Sequence, residues 1–88
     1  MRRGRGLFHK PVIVQPRRID RDRVVVSTRD AAMVLLRDWP DDKARERREK
    51  AMRACLAVIR GKKPPSFARN AFIAAAKDAR ILLYDGSK

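Results

Sequence analysis

The residues best suited to nucleophilic catalysis are a single cysteine, Cys55, and a single histidine, His9. A cysteine nucleophile needs a nearby base to accept its proton, and histidine is the usual base. Apolar residues around Cys55 recur at helical spacing, which predicts that the thiol lies on the buried side of a helix as a small core residue. His9 lies in or beside a basic N-terminal segment, so we interpret it as a solvated residue flanking the first strand.

Metal binding and acid–base catalysis find no better support among the polar residues. One cysteine and one histidine cannot supply the ligands of a zinc site, and Asp41 and Asp42 are placed to cap a helix. Asp20 and Asp22 alternate with arginines, which keep carboxylates ionised. The glycines of residues 2–6 follow no strand, which argues against a phosphate-binding loop. We therefore expect neither an enzyme nor a bound metal or cofactor.

Arginine and lysine are the chemically useful residues that this chain has in excess. They outnumber aspartate and glutamate by 23 to 10, which gives a formal net charge of +13. Such a charge disfavours the compact chain, and a polyanion relieves the repulsion. A guanidinium group also binds phosphate through two parallel hydrogen bonds. The sequence therefore favours sequence-tolerant binding of nucleic acid or another polyanion, although an acidic protein partner or a solvated surface accounts for the same charges.

The residues predicted to bind a polyanion form three groups, in the N-terminal segment, in the loop between the first two strands, and on the second helix with the turn after it. They are Arg2, Arg3, Arg5, Arg17, Arg18, Arg21, Arg23, Arg45, Arg47, Arg48, Lys62 and Lys63. Exposed aromatic side chains for stacking on bases are expected to be nearly absent, because Trp39 and Phe72 belong to core stripes. We therefore expect contacts to phosphates rather than to bases.

The length and composition of the chain indicate a single small domain. Eighty-eight residues, 44% of them hydrophobic, suffice for a single core. A lone cysteine excludes an internal disulfide and fits a reducing compartment, and no stretch approaches the roughly 18 apolar residues of a membrane span. We expect a cytoplasmic protein without membrane contact, with a flexible basic tail over residues 1–10, one domain over residues 11–85 and a polar end over residues 86–88.

The first half of the chain predicts a β-hairpin followed by a helix. Residues 12–15 and 23–27 are short β-branched runs separated by a polar loop, which favours antiparallel pairing. Ser27 followed by Asp30 has the layout of a capping box, and Pro40 forbids continuation of the helix. The apolar stripe predicted to face the core comprises Ala32, Leu35, Leu36 and Trp39.

The second half predicts two further helices and a last strand over residues 81–84. The second helix begins near Asp41 or Asp42 and ends at Gly61, with an inward stripe of Met52, Cys55, Leu56 and Ile59. Ser66 is predicted to cap the third helix, whose inward stripe is Ala68, Phe72, Ala75 and Ala79. The order ββαααβ predicts an α+β fold, a small mostly antiparallel sheet with helices packed on one face, whose strand order is left open.

The predicted strands are apolar on both faces, and helices on one side of the sheet cover only one of them. We expect the inward set to be Val12, Val14, Val24, Val26, Ile81 and Leu83. The opposite strip is either shielded by the tail and a helix or is a self-association surface. As the alternative function we predict a protein-interaction module or homodimer that uses Ile13, Val25, Leu82 and Tyr84.

Several sequence patterns along the chain are shared with a known family. They are Phe8 with Pro11-Val12-Ile13-Val14, Ser27-Thr28-Arg29-Asp30-Ala31-Ala32 with Trp39-Pro40, and Ala68-Arg69-Asn70-Ala71-Phe72. From Phe8 to Leu83 the chain thereby resembles the domain of unknown function 982 family of small bacterial proteins. Arg80 and Ala44 depart from the pattern, because they stand at or near positions where it tends to have glycine. The resemblance implies a compact α+β domain and no known activity, substrate or cofactor.

Overall fold

The computed structural model of the chain describes residues 6–16, 22–40 and 44–86. Within them the strands are β1 (Leu7–Val14), β2 (Arg23–Ser27) and β3 (Leu82–Tyr84). They form an antiparallel sheet in the order β2-β1-β3, so the first strand is central. The helices are α1 (Thr28–Met33), which continues into a π-helical turn (Val34–Asp38), α2 (Arg45–Ile59) and α3 (Pro65–Asp78). The predicted α+β class, with helices packed against an antiparallel sheet, is confirmed.

The central strand begins earlier than the sequence predicts. We assigned residues 7–10 to a flexible tail, but β1 starts at Leu7, which pairs with Ser27 of β2. The pairing register shifts between Leu7 and Val12. Because of such an irregularity, the start of the strand does not show the regular alternation of apolar and polar residues by which a strand is predicted. The hairpin of β1 and β2 is confirmed, whereas residues 1–5 lie outside the described part of the chain.

Ser27 caps the first helix as predicted. Its side-chain oxygen accepts a hydrogen bond from the Asp30 amide at 3.1 Å, while the Asp30 carboxylate accepts one from the Val26 amide at 3.1 Å. Asp30 therefore reaches back one residue further than the glutamate of a standard capping box. The helical segment ends at Asp38, directly before Trp39 and Pro40, which also agrees with the prediction.

The rotation of the first helix differs from the predicted stripe. Thr28 is buried, and both its amide and its hydroxyl donate to the Gly6 carbonyl, at 2.7 and 3.1 Å. These bonds fix which side of α1 faces inward, so the buried positions are Ala31, Val34 and Leu35, with Trp39 beyond the π-helical turn. The prediction for Leu36 was wrong, since this side chain is 59% exposed.

The second helix also presents a different face to the core. Its buried residues are Ala51, Ala54, Cys55 and Val58, whereas Leu56 and Ile59 are exposed. The face is rich in alanine because α2 packs extensively against α3, and small side chains allow two helices to approach closely. The inward positions predicted for Leu56 and Ile59 were therefore wrong. Asp41 and Asp42, the predicted caps, lie outside the described residues.

The third helix carries the centre of the core. Ala68, Phe72, Ala75 and Ala79 are buried as predicted, and the rings of Phe72 and Trp39 pack in a T-shaped arrangement with centroids 6.1 Å apart. The start of α3 differs from the prediction, since Pro64 is the N-cap and Pro65 the first residue, rather than Ser66 the cap. Proline suits the first helical position because its fixed φ is already helical and its missing N–H would have no partner there.

Candidate interaction surfaces

One row of apolar side chains crosses all three strands on the side of the sheet away from the helices. Ile13 of β1 pairs with Val24 of β2 on one side and with Tyr84 of β3 on the other. Paired residues share a face, and Val26 lies on the same face as Val24 because side chains alternate along a strand. Val24 is 58% exposed and Tyr84 is 43% exposed. We call Ile13, Val24, Val26 and Tyr84 the outer sheet face.

This geometry corrects the predicted self-association residues. Ile13 and Tyr84 lie on the outer sheet face, but Val25 is fully buried opposite Val12, and Leu82 packs partly buried against the core. Val24 and Val26, predicted to face the helices, are exposed, as is Leu83. The reason is that β2 carries apolar side chains on both of its faces, so hydrophobicity alone does not determine which face is directed toward the helices.

Two cations on the strands already have partners. The Lys10 ammonium donates to the Gly86 carbonyl at 3.1 Å. The Arg23 guanidinium forms an ion pair with the Asp38 carboxylate, with 3.1 Å between Nη2 and Oδ2. The charges of these two residues are therefore directed to the protein's own groups.

A second apolar surface lies on the helical side of the molecule. Its members are large apolar residues that are exposed although they sit on ordered elements: Leu7, Met33, Leu36, Leu56 and Ile59. We call this set the helix-side strip. At one end of it is a cleft of about 350 Å³ lined by Gly6, Leu7, Ser27, Thr28, Arg29, Val58 and Ile59. Leu36, Leu56 and Ile59 were expected inside the core, so the sequence argument did not predict this surface.

The predicted polyanion-binding residues are not gathered on one surface in the described part of the chain. Arg47 Nε lies 4.0 Å from the Asp78 carboxylate on α3, while Arg48 Nε donates to the Leu35 carbonyl at 2.8 Å. Arg45 is exposed at the start of α2 and also has an interaction partner. Lys62 and Lys63 are exposed beyond the far end of α2, roughly 22 Å away for a helix of this length. Arg2, Arg3, Arg5, Arg17, Arg18 and Arg21 lie outside the described residues.

The turn between α2 and α3 combines cations with an aromatic ring. Lys63 Nζ lies 5.0 Å from the centre of the Phe67 ring, and Phe67 is exposed. Arg60 and Lys62, also exposed, precede them in the chain. The expectation that Trp39 and Phe72 are core residues holds, but Phe67 supplies an exposed ring that the sequence argument did not consider.

Arg69 is a buried cation whose role the sequence argument missed. Its Nε donates to the Lys10 carbonyl at 3.0 Å and its Nη2 donates to the Asp85 carbonyl. Gly86 packs so closely that an added Cβ would lie 2.8 Å from Lys10 and 3.0 Å from Arg69. Arg69 therefore clamps the segment after β3 to the central strand. The available signal was its place in the Ala-Arg-x-Ala-Phe pattern, which marked the position without indicating what it does.

Cys55 has the properties of a core residue. It is buried on α2, and burial raises the pKa of its thiol to about 11, so the thiol is protonated at neutral pH. The described residues contain no group of three or more histidine, cysteine, aspartate or glutamate side chains that could hold a metal ion. No helix in the described ranges is long and apolar enough to cross a membrane.

Comparisons with known proteins match the chain to one family. The sequence model of the family described as Protein of unknown function (DUF982) matches residues 10–83, which cover β2 and the three helices in full and all but the outer ends of β1 and β3. No curated protein and no solved structure matches the chain. The comparisons therefore support the family and the patterns from which the resemblance was drawn, and they assign no chemistry to any residue.

Proposed function

The chain belongs to the DUF982 family, whose description assigns no activity, and we propose that this member acts by binding, as a module that self-associates through its outer sheet face. The observation that carries the proposal is the row formed by Val24, Ile13 and Tyr84. Single apolar residues on a surface are ordinary, whereas a contiguous row across every strand of a sheet marks a contact surface. A second sheet packed about 10 Å away would bury it.

The distribution of charge makes a second copy a suitable occupant. Lys10 and Arg23, the cations on the strands, are held by Gly86 and Asp38, and the remaining described cations lie largely on the helices and the turns joining them. In a face-to-face dimer the two helical layers lie on opposite outer sides, more than about 10 Å apart. That separation exceeds the Debye length of about 8 Å at physiological salt, so the described charges on the helices of each copy oppose the contact only weakly.

The size of the face predicts a transient dimer. A standard stable interface removes about 800 Å² from each partner, which is about an eighth of the 6166 Å² accessible surface of this chain. Three short strands spaced about 4.8 Å apart present a face well below that standard area. We therefore expect association at micromolar to millimolar protein concentration, of the kind used in regulated assemblies.

Sedimentation equilibrium on matched variants tests the proposal. Val24→Glu places an unpaired carboxylate in the contact, which should weaken self-association at least about tenfold. Leu36→Glu changes the net charge equally at a comparably exposed apolar residue off the sheet, so it should leave self-association unchanged. Added salt should strengthen the dimer, because screening reduces the repulsion between two chains of charge +13. A chain that stays monomeric at about 1 mM, or equal effects of the two variants, would overturn the proposal.

Polyanion binding is the second candidate, and the turn between α2 and α3 favours it. Exposed cations beside an exposed aromatic ring are the combination that holds single-stranded nucleic acid, with the ring stacking on a base. Lys62, Lys63 and Phe67 supply this combination, with Arg60 next to them.

Filter binding of mixed single-stranded RNA and DNA separates the two candidates. If about three phosphates are neutralised, affinity should fall about 20-fold between 50 and 200 mM salt, the opposite response to that of the dimer. Phe67→Ala should weaken retention, while Val24→Glu should do so only slightly through its charge. Absence of retention at the lower salt would discard this candidate.

A further inference from the structure

The cleft beside α1 has the size and lining of an anchor site. Its volume of about 350 Å³ is at the lower end of the range for ligand pockets, enough for a large side chain. Leu7, Val58 and Ile59 provide apolar walls. Ser27 Oγ accepts from the Asp30 amide and Thr28 Oγ1 donates to the Gly6 carbonyl. Arg29 is the charged residue among those that line the cleft.

The cleft opens onto the helix-side strip. Thr28 and Arg29, at the start of α1, share the cleft with Val58 and Ile59, at the end of α2. At the other end, Arg48 near the start of α2 donates to Leu35 in the π-helical turn. The two helices therefore run antiparallel side by side. Exposed Met33 and Leu36 on one helix, and Leu56 and Ile59 on the other, recur at the three-residue spacing of a helical face.

The charges around the strip are mostly positive. On the first helical segment Arg29 and Arg37 are exposed beside Met33 and Leu36. On α2, Arg53 and Arg60 are exposed, one turn before Leu56 and directly after Ile59. Glu49, about one turn before Arg53 on α2, is an exposed acid. An apolar strip with such a border is complementary to an amphipathic segment whose polar face is acidic.

We propose that the helix-side strip binds an acidic, amphipathic helical segment of another protein, with one large apolar side chain in the cleft and a neighbouring carboxylate paired with Arg29. A helix laid between two antiparallel helices buries apolar residues at the same three- and four-residue spacings. A second copy of this chain is the wrong occupant here, because its charge of +13 would meet a basic border. The concave cleft also fits a protruding side chain better than a flat lipid surface.

A designed peptide provides a direct probe. It has about 18 residues, with leucine and one phenylalanine at helical spacing and glutamate at the other positions, and its binding is followed by fluorescence anisotropy. A peptide of the same composition in scrambled order controls for charge alone. We expect the patterned peptide to bind at least about tenfold more tightly than the scrambled one, since only the former presents a continuous apolar face.

Variants of exposed residues locate the site without unfolding the domain. Ile59→Gln should weaken binding of the patterned peptide about tenfold, and Arg29→Gln several-fold, whereas Val24→Gln on the outer sheet face should leave it unchanged. The Ile59→Gln variant should self-associate as the wild type does. Peptide binding therefore tests the helix-side strip, and self-association independently tests the outer sheet face.

Three outcomes would overturn the inference. They are equal binding of the two peptides, no binding up to about 1 mM, and full affinity of the Ile59→Gln variant. Binding of the protein to vesicles of phosphatidylglycerol and phosphatidylcholine is measured as well. If the vesicles bind the wild type but not the Ile59→Gln variant, and the patterned peptide does not bind the wild type, the strip is a lipid-binding surface and the proposal is wrong.

Discussion

Gly61 and Arg80 occupy the same position at the ends of two neighbouring helices. After α2 the Gly61 and Lys62 amides donate to Val58 and Ala57, and after α3 the Arg80 and Ile81 amides donate to Lys77 and Ala76. Both ends thus form a Schellman motif, whose central residue adopts a left-handed backbone, with φ of 80° at Gly61 and 63° at Arg80. Glycine takes this conformation freely, whereas a side chain opposes it.

Replacing Arg80 by glycine should therefore stabilise the protein. We expect Arg80→Gly to raise the free energy of unfolding by about 1 kcal/mol, measured by urea denaturation. Arg60→Gly is the matched control, because it removes the same charge at a helix end where φ is −82°. That control should be neutral or destabilising. Equal effects of the two substitutions would show that Arg80 is not strained.

The sequence pointed to this strain without explaining it. The non-glycine residues with positive φ in the described ranges are Ala44 and Arg80, at or near the two positions where the family pattern tends to have glycine. A departure from a family pattern therefore located two backbone positions that composition and periodicity do not reveal.

Features set by neighbouring residues were predictable, and those set by distant contacts were not. The Ser27 cap and the stop before Pro40 depend on a few adjacent residues. The inward side of the first helix depends instead on Thr28 meeting Gly6, 22 residues earlier in the chain. The outer sheet face was predictable only in part, because both phases of β2 are apolar and the pairing of Val12 with Val25 selects one of them.

Leu35 and Leu36 test the observed rotation of the first helix. Leu35 is fully buried and Leu36 is 59% exposed, although both were expected in the core. Leu35→Ala should lower the free energy of unfolding by about 2–4 kcal/mol, because it leaves a cavity, while Leu36→Ala should change it by less than about 0.5 kcal/mol. Urea denaturation of the two variants provides the comparison, and similar losses at both positions would contradict the rotation.

Arg69 tests whether a buried cation holds the C-terminal segment. Lysine keeps the charge but cannot reproduce a guanidinium that reaches both the Lys10 and Asp85 carbonyls. Arg69→Lys should therefore cost about 2 kcal/mol of stability and speed amide hydrogen exchange in β3 more than in α2. Arg53→Lys, on an exposed part of α2, is the control and should affect neither quantity. Uniform acceleration of exchange in both elements would argue against a local clamp.

The buried Cys55 thiol predicts a stability loss at high pH. Burial raises its pKa from 9.0 to about 11, so the folded state holds the proton more tightly than the unfolded state does. Below pH 9 both states are protonated and the full stability is present. Between pH 9 and 11 the unfolded thiol ionises first, which favours unfolding.

Cys55→Ala isolates this effect from the titration of lysine and tyrosine. The variant lacks the thiol, so its free energy of unfolding should fall less between pH 8 and 10.5 than that of the wild type. The stability gap between the two proteins should accordingly narrow as the pH rises. Iodoacetamide should also react slowly with the folded wild type and quickly in urea, because the thiolate is the nucleophile. A gap that stays constant with pH, or fast alkylation of the folded chain, would show that the thiol is accessible to solvent.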